Sequence, residues 1–290
     1  MSTEVVKLKP GNYKTTLKPV WCPGCGDFGV LNALYRAMAQ LQLEPWNTVV
    51  MSGIGCSSRL PGYVATYGFN SVHGRALTLA TGVKIARPET TVIAVGGDGD
   101  GMAIGGNHFM HACRRNLDVT YILMDNEIYG LTKGQTAPTT PTGDKTKSSF
   151  YGNPEPAVDP VELAIGTGAT FVARGFSGDM KTLTNLIAQA IQHKGFAFVN
   201  VMSPCVTFRG EIQYTILKEK LQMVPEDHDV TDRLAALQYT REKDVMTTGV
   251  LYNVDEPSLV ERIEHVREQA KAMGPEPTIK DILQSFYASF

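Results

Sequence analysis

The stretch TVIAVGGDGDGMAIGGNHFMHACRRNLDVTYILMDN, residues 91–126, decides the fold. It begins with an apolar run at 91–95 that stops at a glycine-rich turn, and a second apolar run lies at 119–125. We predict a strand for each run and a helix of about 103–115 between them. Strand, helix and strand in this order are typical of a parallel sheet.

The same alternation continues on both sides of this stretch. We predict helices at about 27–42, 75–86, 159–167 and 180–193, and further strands at 48–51, 169–173 and 196–202. The sequence therefore predicts an α/β fold with an open, mostly parallel sheet and helices on both faces. After about residue 215 the pattern becomes polar and irregular, apart from a helical piece at 256–272. We accordingly predict a binding domain at 1–215 and a C-terminal extension at 216–290 that packs on a partner.

Composition excludes several classes of protein. The 290 residues carry a formal charge of -2, which gives no electrostatic footprint for nucleic acid or for a membrane surface. No apolar run reaches the roughly 18 residues that a membrane-spanning helix needs, and the N-terminus MSTEVVKLKP lacks the apolar centre of a secretory signal. We therefore expect a cytoplasmic protein, in which five cysteines favour metal binding or redox chemistry over disulfides.

The glycine-rich turn at 96–101 has the chemistry of an anion site. Glycines let the backbone approach an anionic group, and the N–H groups of the following helix face it. A bound diphosphate also needs a hard cation, and Mg²⁺ prefers oxygen ligands. Asp98 offers a carboxylate after the first strand, Asn126 offers an amide oxygen after the second, and the backbone carbonyl near Ile128 can complete the set.

Other interpretations of this turn are weaker. It can be a tight structural turn or a calcium loop, but an EF-hand needs a glutamate at the end of its 12-residue loop, and the apolar helix here does not supply one. The G-x-G-x-x-G spacing of a dinucleotide site is also absent from this strand-to-helix turn.

Four cysteines beside glycine or proline form a candidate metal centre. Cys22 and Cys25 are in a C-x-x-C motif, and Cys56 and Cys205 follow predicted strands. Thiolates ligate iron–sulfur clusters and also structural zinc, and the spacing alone does not separate the two. A redox-active pair at Cys22 and Cys25 is a third possibility. Cys113 lies in a helical, half-apolar pattern and is predicted to serve packing.

Three stretches carry a resemblance to a known family. They are WCPGCGDFGVLNAL at 21–34, MSGIGCSSRLPGY with HGRALTLATGVK at 51–84, and GGDGDGMAIGGNHF through MDNEIYGLTKGQTAPT at 96–139; SPC at 203–205 adds the last cysteine. In this combination and order they resemble the β subunit of the 2-oxoacid:ferredoxin oxidoreductases, and most closely the 2-oxoglutarate type.

The resemblance implies a set of cofactors and partners. It implies thiamine diphosphate with Mg²⁺, and one 4Fe-4S cluster on Cys22, Cys25, Cys56 and Cys205. The family reaction is oxidative decarboxylation of a 2-oxoacid with coenzyme A, with electrons leaving singly through the cluster to ferredoxin. One domain of this length cannot supply both halves of a thiamine site, so we expect an α subunit that brings the pyrimidine-binding domain, in an α2β2 assembly. Five cysteines are also too few for a two-cluster ferredoxin domain, so the electron acceptor should be a separate protein.

The resemblance also implies individual site residues. The cofactor-binding residues it predicts are Gly55, Cys56, Ser57, His73, Gly97, Asp98, Gly99, Asp100, Asn126, Ile128, Tyr129, Gly130, Leu131 and Thr132. We expect catalytic roles for Arg59, His73 and Thr132. His73 can donate to the diphosphate or simply cap a helix. Arg59 can bind the distal carboxylate of 2-oxoglutarate in a bidentate way, or the α-carboxylate of any 2-oxoacid, or it can pair with a surface acid or with the partner subunit.

Three functional alternatives stay open at this point. The chain can serve a pyruvate or broad 2-oxoacid:ferredoxin oxidoreductase instead of one specific for 2-oxoglutarate. It can be a thiamine-dependent decarboxylase or synthase with a structural zinc. It can also be an electron-transfer subunit that only holds a cluster, although the turn at 96–101 with Asn126 argues against this.

Overall fold

The computed structural model describes residues 7–242 and 244–287, and in that part of the chain eight strands form one sheet. The strands are β1 (Thr48–Ser52), β2 (Tyr67–Asn70), β3 (Thr91–Gly97), β4 (Val119–Asp125), β5 (Phe171–Phe176), β6 (Phe196–Met202), β7 (Leu221–Met223) and β8 (Met246–Asn253). Their order is β2-β1-β3-β4-β6-β5-β8-β7. The first six strands are parallel, and β8 pairs with β5 in the antiparallel sense.

Helices cover both faces of this sheet. They are α1 (Asp27–Gln40), α2 (Ala76–Ala86), α3 (Gly106–Arg115), α4 (Pro160–Thr167), α5 (Met180–Gln192), α6 (Val206–Arg209), α7 (Ile212–Lys220), α8 (Arg233–Tyr239), α9 (Leu259–Met273) and α10 (Ile279–Tyr287). Helices α1 and α5 pack on one face, and α2, α3 and α4 pack on the other. The predicted α/β fold is therefore confirmed. None of the described helices is long and apolar enough to cross a membrane.

The side chains of β3 explain why its sequence is apolar without interruption. Ile93 and Val95 belong to the core under α1 and α5, whereas Val92 and Ala94 belong to the core under α2, α3 and α4. Successive residues of a strand point to opposite faces, so a strand covered on both sides must be apolar at every position. Asp98, the first charged residue after this apolar run, directly follows the end of β3.

The helix predicted at about 103–115 begins later than expected. Gly99–Ile104 form a π-helical turn, and the chain kinks at Ala103 (φ −87°, ψ −107°) before α3 begins. Two consecutive glycines, Gly105 and Gly106, have low helix propensity and lie at the junction.

The segment after residue 215 contains more regular structure than its polar sequence pattern indicates. This segment contains α7, β7, α8 and β8, and β8 joins the same sheet as the first six strands. The sequence Met-Thr-Thr-Gly of β8 hides its strand character, because threonine and glycine weaken the apolar signal. The helical piece predicted at 256–272 corresponds to α9. The boundary at residue 215 and the packing of 216–290 on a partner stay predictions.

Two peripheral parts of the fold are exposed. All four residues of β2 are exposed at one edge of the sheet. Helices α9 and α10 contain no buried residue, and Ile279, Ile282, Leu283 and Phe286 of α10 are 44–78% exposed.

Candidate active site

Two adjoining cavities lie where the parallel strands end. The first has a volume of about 370 Å³ and is lined by Asp98 and Asp100; we call it the aspartate cavity. The second has a volume of about 520 Å³ and is lined by Cys22, Cys25, Cys56 and Cys205; we call it the cysteine cavity. The residues common to both walls are Ile54, Cys56, Asn126, Gly130 and Leu131. The fold thus brings the predicted metal motif and the four cysteines together at one edge of the sheet.

Asp98 and Asn126 present oxygen atoms at the ends of β3 and β4. The Thr139 hydroxyl donates to Asp98 Oδ2 at 2.7 Å, and the Asn126 N–H donates weakly to Asp98 Oδ1 at 3.4 Å. Burial, with the Asp125 carboxylate nearby, raises the pKa of Asp98 well above its usual range. The side-chain oxygen of Asn126 accepts the N–H of Ile128 at 3.1 Å. A buried carboxylate beside an amide oxygen is a donor set that suits a hard cation.

Asp100 holds the walls of the aspartate cavity together. Its Oδ1 accepts the N–H groups of Ile54 at 3.0 Å and Gly74 at 2.7 Å, and lies 2.6 Å from His73 Nδ1. Asp100 comes so close to Gly53 that a Cβ there would lie 1.7 Å from Asp100 Oδ2. The predicted cofactor residue Asp100 is therefore bonded to protein groups, and it orients His73 at the cavity wall.

Tyr129 closes one side of the aspartate cavity. Its hydroxyl donates to the Gly99 carbonyl at 2.8 Å. The ring lies so close to Gly99 that a Cβ there would be 2.4 Å from it, so only glycine fits. Thr132 is exposed at the mouth and donates to Gln135 Oε1 at 2.6 Å. Leu131, between them, is 55% exposed.

Ser57 offers a polar group to a ligand. Its side chain is 3% exposed, and among the described residues its hydroxyl has no hydrogen-bond partner. It lies beside Gly97, where a Cβ would stand 3.4 Å from Ser57 Oγ. Gly55 precedes it with a φ of 120°, a conformation that favours glycine. A buried hydroxyl without a partner is costly unless a bound group satisfies it.

The four cysteines surround the cysteine cavity. Cys22 is exposed, and Cys25, Cys56 and Cys205 are half-buried. A Cβ on Gly130 would lie 3.6 Å from Cys205 Sγ and 3.8 Å from Cys56 Sγ, so both sulfurs face the same glycine. Burial, the Asp27 carboxylate and the neighbouring Cys205 and Cys22 raise the pKa of Cys56 to about 12. The thiolate form of such a cluster of cysteines needs a cation to stabilise it.

The sulfurs are spread around a space and do not converge on one point. In residues 7–242 and 244–287, no group of three or more His, Cys, Asp or Glu side chains is arranged to hold a metal ion. Cys113 is fully buried in the core under α2, α3 and α4 and lines neither cavity, as its helical pattern predicts.

Arg59 lines the cysteine cavity together with Lys133, and its side chain is exposed. The sequence predicts that Arg59 binds a substrate carboxylate or pairs with a surface acid or with the partner subunit. In the structure Arg59 lies in the wall of the cysteine cavity, and Ser58 and Asn126 belong to the same wall. Its role in substrate selection stays a prediction.

Asp27 is a site residue that the sequence analysis missed. It is 1% exposed, begins α1 and lines the aspartate cavity. The Ser203 hydroxyl donates to Asp27 Oδ1 at 2.8 Å, and burial raises the pKa of Asp27 to about 6. An acid in the first turn of a helix is common for electrostatic reasons, so its position alone gives no signal of a site.

A buried polar chain behind the site was also missed. Arg174 lies 2.7 Å from Asp159 Oδ2 and donates from Nε to Asn200 Oδ1 at 3.3 Å. Asn200 in turn donates to Asp125 Oδ2 at 3.1 Å. These contacts join three strands and fix the end of β4, which carries the turn with Asn126. They link residues far apart in sequence, so no local pattern reveals them.

Two family models match the chain. The family model described as "Thiamine pyrophosphate enzyme, C-terminal TPP binding domain" matches residues 53–201. A second family model, which describes the C-terminal part of the pyruvate ferredoxin oxidoreductase beta chain, matches residues 205–268. The first match covers Cys56, Asp98 and Asn126, and the second begins at Cys205.

Curated relatives and a solved structure match nearly the whole chain. The β subunit of 2-oxoacid:ferredoxin oxidoreductase 2 from Aeropyrum pernix is 42% identical, over 88% of this chain and 87% of its own. The 2-oxoglutarate synthase subunit KorB from Methanocaldococcus jannaschii is 39% identical, over 88% of this chain and 95% of its own. A structure of 2-oxoglutarate:ferredoxin oxidoreductase from Magnetococcus marinus, with 2-oxoglutarate, coenzyme A and succinyl-CoA bound, superposes with a TM-score of 0.92 at 41% identity, covering 98% of this chain and 97% of that one.

The sequence resemblance is therefore confirmed at the level of the family. The thiamine-binding family model spans just over half of the chain, and relatives above 30% identity match most of it. This chain belongs to the β subunits of the 2-oxoacid:ferredoxin oxidoreductases, which are thiamine-dependent enzymes.

Proposed function

We propose that this chain is the β subunit of a 2-oxoglutarate:ferredoxin oxidoreductase. In the proposed reaction, 2-oxoglutarate and coenzyme A yield succinyl-CoA, CO₂ and one proton, and two oxidised ferredoxins each take up one electron; the reaction is reversible. The observation that carries the proposal is the junction of the two cavities, since Cys56 and Asn126 belong to both walls. A thiamine site next to a one-electron carrier suits a reaction whose electrons leave one at a time.

The residues of the aspartate cavity fit thiamine diphosphate with Mg²⁺. Asp98, the Asn126 side chain and the Ile128 carbonyl would hold the cation, and the unpartnered Ser57 hydroxyl suits a polar group of the cofactor. When bound, thiamine diphosphate supplies the nucleophilic carbon and the electron sink for decarboxylation. In this proposal His73, oriented by Asp100, and Thr132 at the mouth contact the cofactor or the substrate.

The residues of the cysteine cavity fit one 4Fe-4S cluster. A structural zinc needs four sulfurs at about 2.3 Å from a single point. Here the four cysteines line a cavity of about 520 Å³, which favours a larger group with several thiolate ligands. This size supports the cluster over the thiamine-dependent decarboxylase with a structural zinc.

The mouth of the aspartate cavity supports an α subunit as partner. Two of its lining side chains are apolar and exposed, Ile54 at 44% and Leu131 at 55%, and Ile104, which lies against Gly74, is 53% exposed. Exposed apolar rims are typical of surfaces that a partner covers. We propose that the α subunit brings the pyrimidine-binding domain to this rim in an α2β2 assembly in the cytoplasm. The extension at 216–290, with the apolar face of α10, would pack on the same partner.

The preference for 2-oxoglutarate has two supports. Arg59 places a cation on the wall of the cysteine cavity, which shares Cys56 with the aspartate cavity, and the distal carboxylate of a dicarboxylic substrate can pair with it there. Relatives named 2-oxoglutarate synthase match this chain at 36–48% identity. A pyruvate or broad 2-oxoacid:ferredoxin oxidoreductase is the second candidate, because other relatives carry the broader 2-oxoacid name.

One set of measurements tests the proposal. The chain is produced with its α subunit, purified without oxygen, and analysed for iron, zinc, magnesium and thiamine diphosphate. We expect iron without stoichiometric zinc, retained cofactor, and viologen reduction that needs coenzyme A and is faster with 2-oxoglutarate than with pyruvate. Stoichiometric zinc in place of iron would refute the cluster. If pyruvate is the better substrate, the assignment of 2-oxoglutarate is refuted. Full turnover by the β chain alone would refute the requirement for an α subunit.

A further inference from the structure

We propose that Glu127 is a positioning residue that couples the two cavities energetically. Its backbone belongs to the turn that presents Asn126 and Ile128, and its side chain reaches the segment that carries Cys205. The inference rests on the proposed function, because it takes the two cavities to hold thiamine diphosphate with Mg²⁺ and an iron–sulfur cluster.

The backbone conformation of Glu127 indicates that its side chain makes stabilising contacts. Its φ is 59°, in the left-handed region that glycine and asparagine adopt most easily. The Thr140 hydroxyl donates to the Glu127 carbonyl at 2.6 Å, and the Glu127 N–H donates to Asp125 Oδ1 at 3.3 Å. A turn that needed only this shape would be more stable with glycine, so the glutamate side chain must contribute contacts of its own.

Those contacts join Glu127 to α6 and α7, the two helices that follow Cys205 in the chain. The Glu127 side chain is 15% exposed, and its Oε2 is 2.8 Å from an Arg209 guanidinium nitrogen. The same nitrogen is 2.7 Å from Asp144 Oδ2. Gln213 Nε2 donates weakly to Glu127 Oε2 at 3.4 Å, and Gln213 Oε1 accepts the Cys205 N–H at 2.9 Å.

This arrangement makes a continuous link between the sites. It runs from the Asn126 turn through Glu127 to Gln213, and from there to the backbone of Cys205. Gln213 is 5% exposed, so solvent does not readily replace its two contacts. Arg209 adds a charged partner from α6, the helix that follows Cys205 directly.

An exposed ion pair elsewhere in the chain differs from the Glu127–Arg209 pair. Arg241 and Glu162 are 3.0 Å apart, but their side chains are 74% and 42% exposed. Both groups can exchange their contact for water, so the pair does little to fix either end. The Glu127 pair is largely shielded, so moving one end disturbs the other.

The expected consequence is reciprocal binding. Ligation at Cys205 orders the segment with Arg209 and Gln213, and this orders the Asn126 turn through the Glu127 carboxylate. Thiamine diphosphate with Mg²⁺ should therefore bind more tightly to cluster-loaded enzyme, and the cluster should be bound more tightly when the cofactor is present. Couplings of this kind usually change a dissociation constant about fivefold or more.

The test measures that coupling in the assembled enzyme. The Kd for thiamine diphosphate with Mg²⁺ is determined with the cluster in place and after anaerobic removal of iron, and the rate of iron release to a chelator is followed with and without cofactor. In the wild type we expect the Kd ratio to be about five or more. In Glu127→Gln it should fall towards one, while Glu162→Gln, which removes a glutamate from the exposed pair, should keep the wild-type ratio.

Gln213→Met provides a second variant, since it cuts the link to Cys205 and leaves the Glu127–Arg209 pair in place. It should reduce the coupling, since only the Arg209 contact then connects Glu127 with the segment of Cys205, and it provides the test if Glu127→Gln does not assemble. An unchanged ratio in either variant, or a ratio of one in the wild type, would overturn the coupling while leaving the cofactors in place. Wild-type enzyme that binds no thiamine diphosphate or holds no iron would instead overturn the proposed function.

Discussion

The aspartate cavity and the cysteine cavity share a wall but are assembled differently. The two predicted cation ligands of the first, Asp98 and Asn126, are 28 residues apart and come from neighbouring strands, β3 and β4. The cysteines of the second come from three segments, and Cys56 and Cys205 meet at Gly130 only because β1, β4 and β6 end at the same edge. A local unit thus supplies the predicted cation ligands of the first site, whereas the cysteines of the second depend on the whole sheet. Substitutions in the two sites should therefore have different effects, on cofactor content in the first and on iron content in the second.

The largest expected effect is at Asp98. Asp98→Asn keeps the shape of the side chain but removes the charge that a divalent cation needs. We expect the assembled enzyme to lose thiamine diphosphate and all activity while it keeps its iron. Cofactor content, iron content and dye reduction check this.

Asp227→Asn, at an exposed position, is the matched control and should behave like the wild type. Normal cofactor retention by Asp98→Asn would contradict the assignment of Asp98 as a cation ligand.

The next effect is at Cys56, which belongs to both walls. Cys56→Ser should lower the iron content sharply, because a serine hydroxyl is a poor substitute for a thiolate ligand. Cys113→Ser is the matched control, since that cysteine is buried in the core away from both cavities and should leave iron unchanged. Equal iron loss in the two variants would mean that general destabilisation, and not ligation, is being measured.

A smaller and selective effect is expected at Arg59. A charge-assisted pair with a substrate carboxylate contributes roughly 1.5–3 kcal/mol, or about ten- to a hundredfold in kcat/KM. Arg59→Met should therefore lower kcat/KM for 2-oxoglutarate and affect pyruvate much less. Equal loss on both substrates would indicate contact with the common α-carboxylate, and an unchanged ratio would remove Arg59 from substrate selection.

The smallest effect is expected at Ser57. One hydrogen bond contributes about 0.5–1.5 kcal/mol, so Ser57→Ala should weaken thiamine diphosphate binding by roughly two- to tenfold. Without cofactor the variant should be as stable as the wild type or slightly more stable, because the buried hydroxyl has no partner there among the described residues. Titration calorimetry and thermal unfolding give the two quantities.

Ser177→Ala, a buried serine outside both cavities, should leave the Kd unchanged. A Ser57→Ala enzyme with wild-type affinity would show that the cofactor does not use this hydroxyl.

Local patterns predicted much of the fold and placed Asp98, Asn126, Cys56 and Cys205 after strands. The bounds of β4 and β6 match the predicted apolar runs, because a strand covered on both faces leaves a continuous apolar signature. The convergence of Asp98, Asn126 and the four cysteines follows from a general rule, since parallel strands end at one edge.

What the sequence did not predict depends on contacts between distant residues. Asp100 fits a cofactor motif, yet its oxygen is bonded to Ile54, His73 and Gly74, which only the folded chain brings near. The Arg174–Asp159 pair and the Glu127–Arg209 pair likewise join segments that no period of 2 or 3.6 residues connects. Strand β8 was not predicted because threonine and glycine weaken its apolar signal, and its antiparallel pairing with β5 forms only in the folded chain.

The exposed strand β2 has a consequence for anyone who produces this chain without a partner. Its Tyr67 and Phe69 lie on the same face and are 63% and 52% exposed, and in the described chain it is the outermost strand on its side. The opposite edge is β7, which has only three residues. An apolar, unprotected edge strand is a template for intermolecular pairing and aggregation. We therefore expect the isolated chain to aggregate through β2, and lysine at position 67 or 69 to raise its solubility more than lysine on β7.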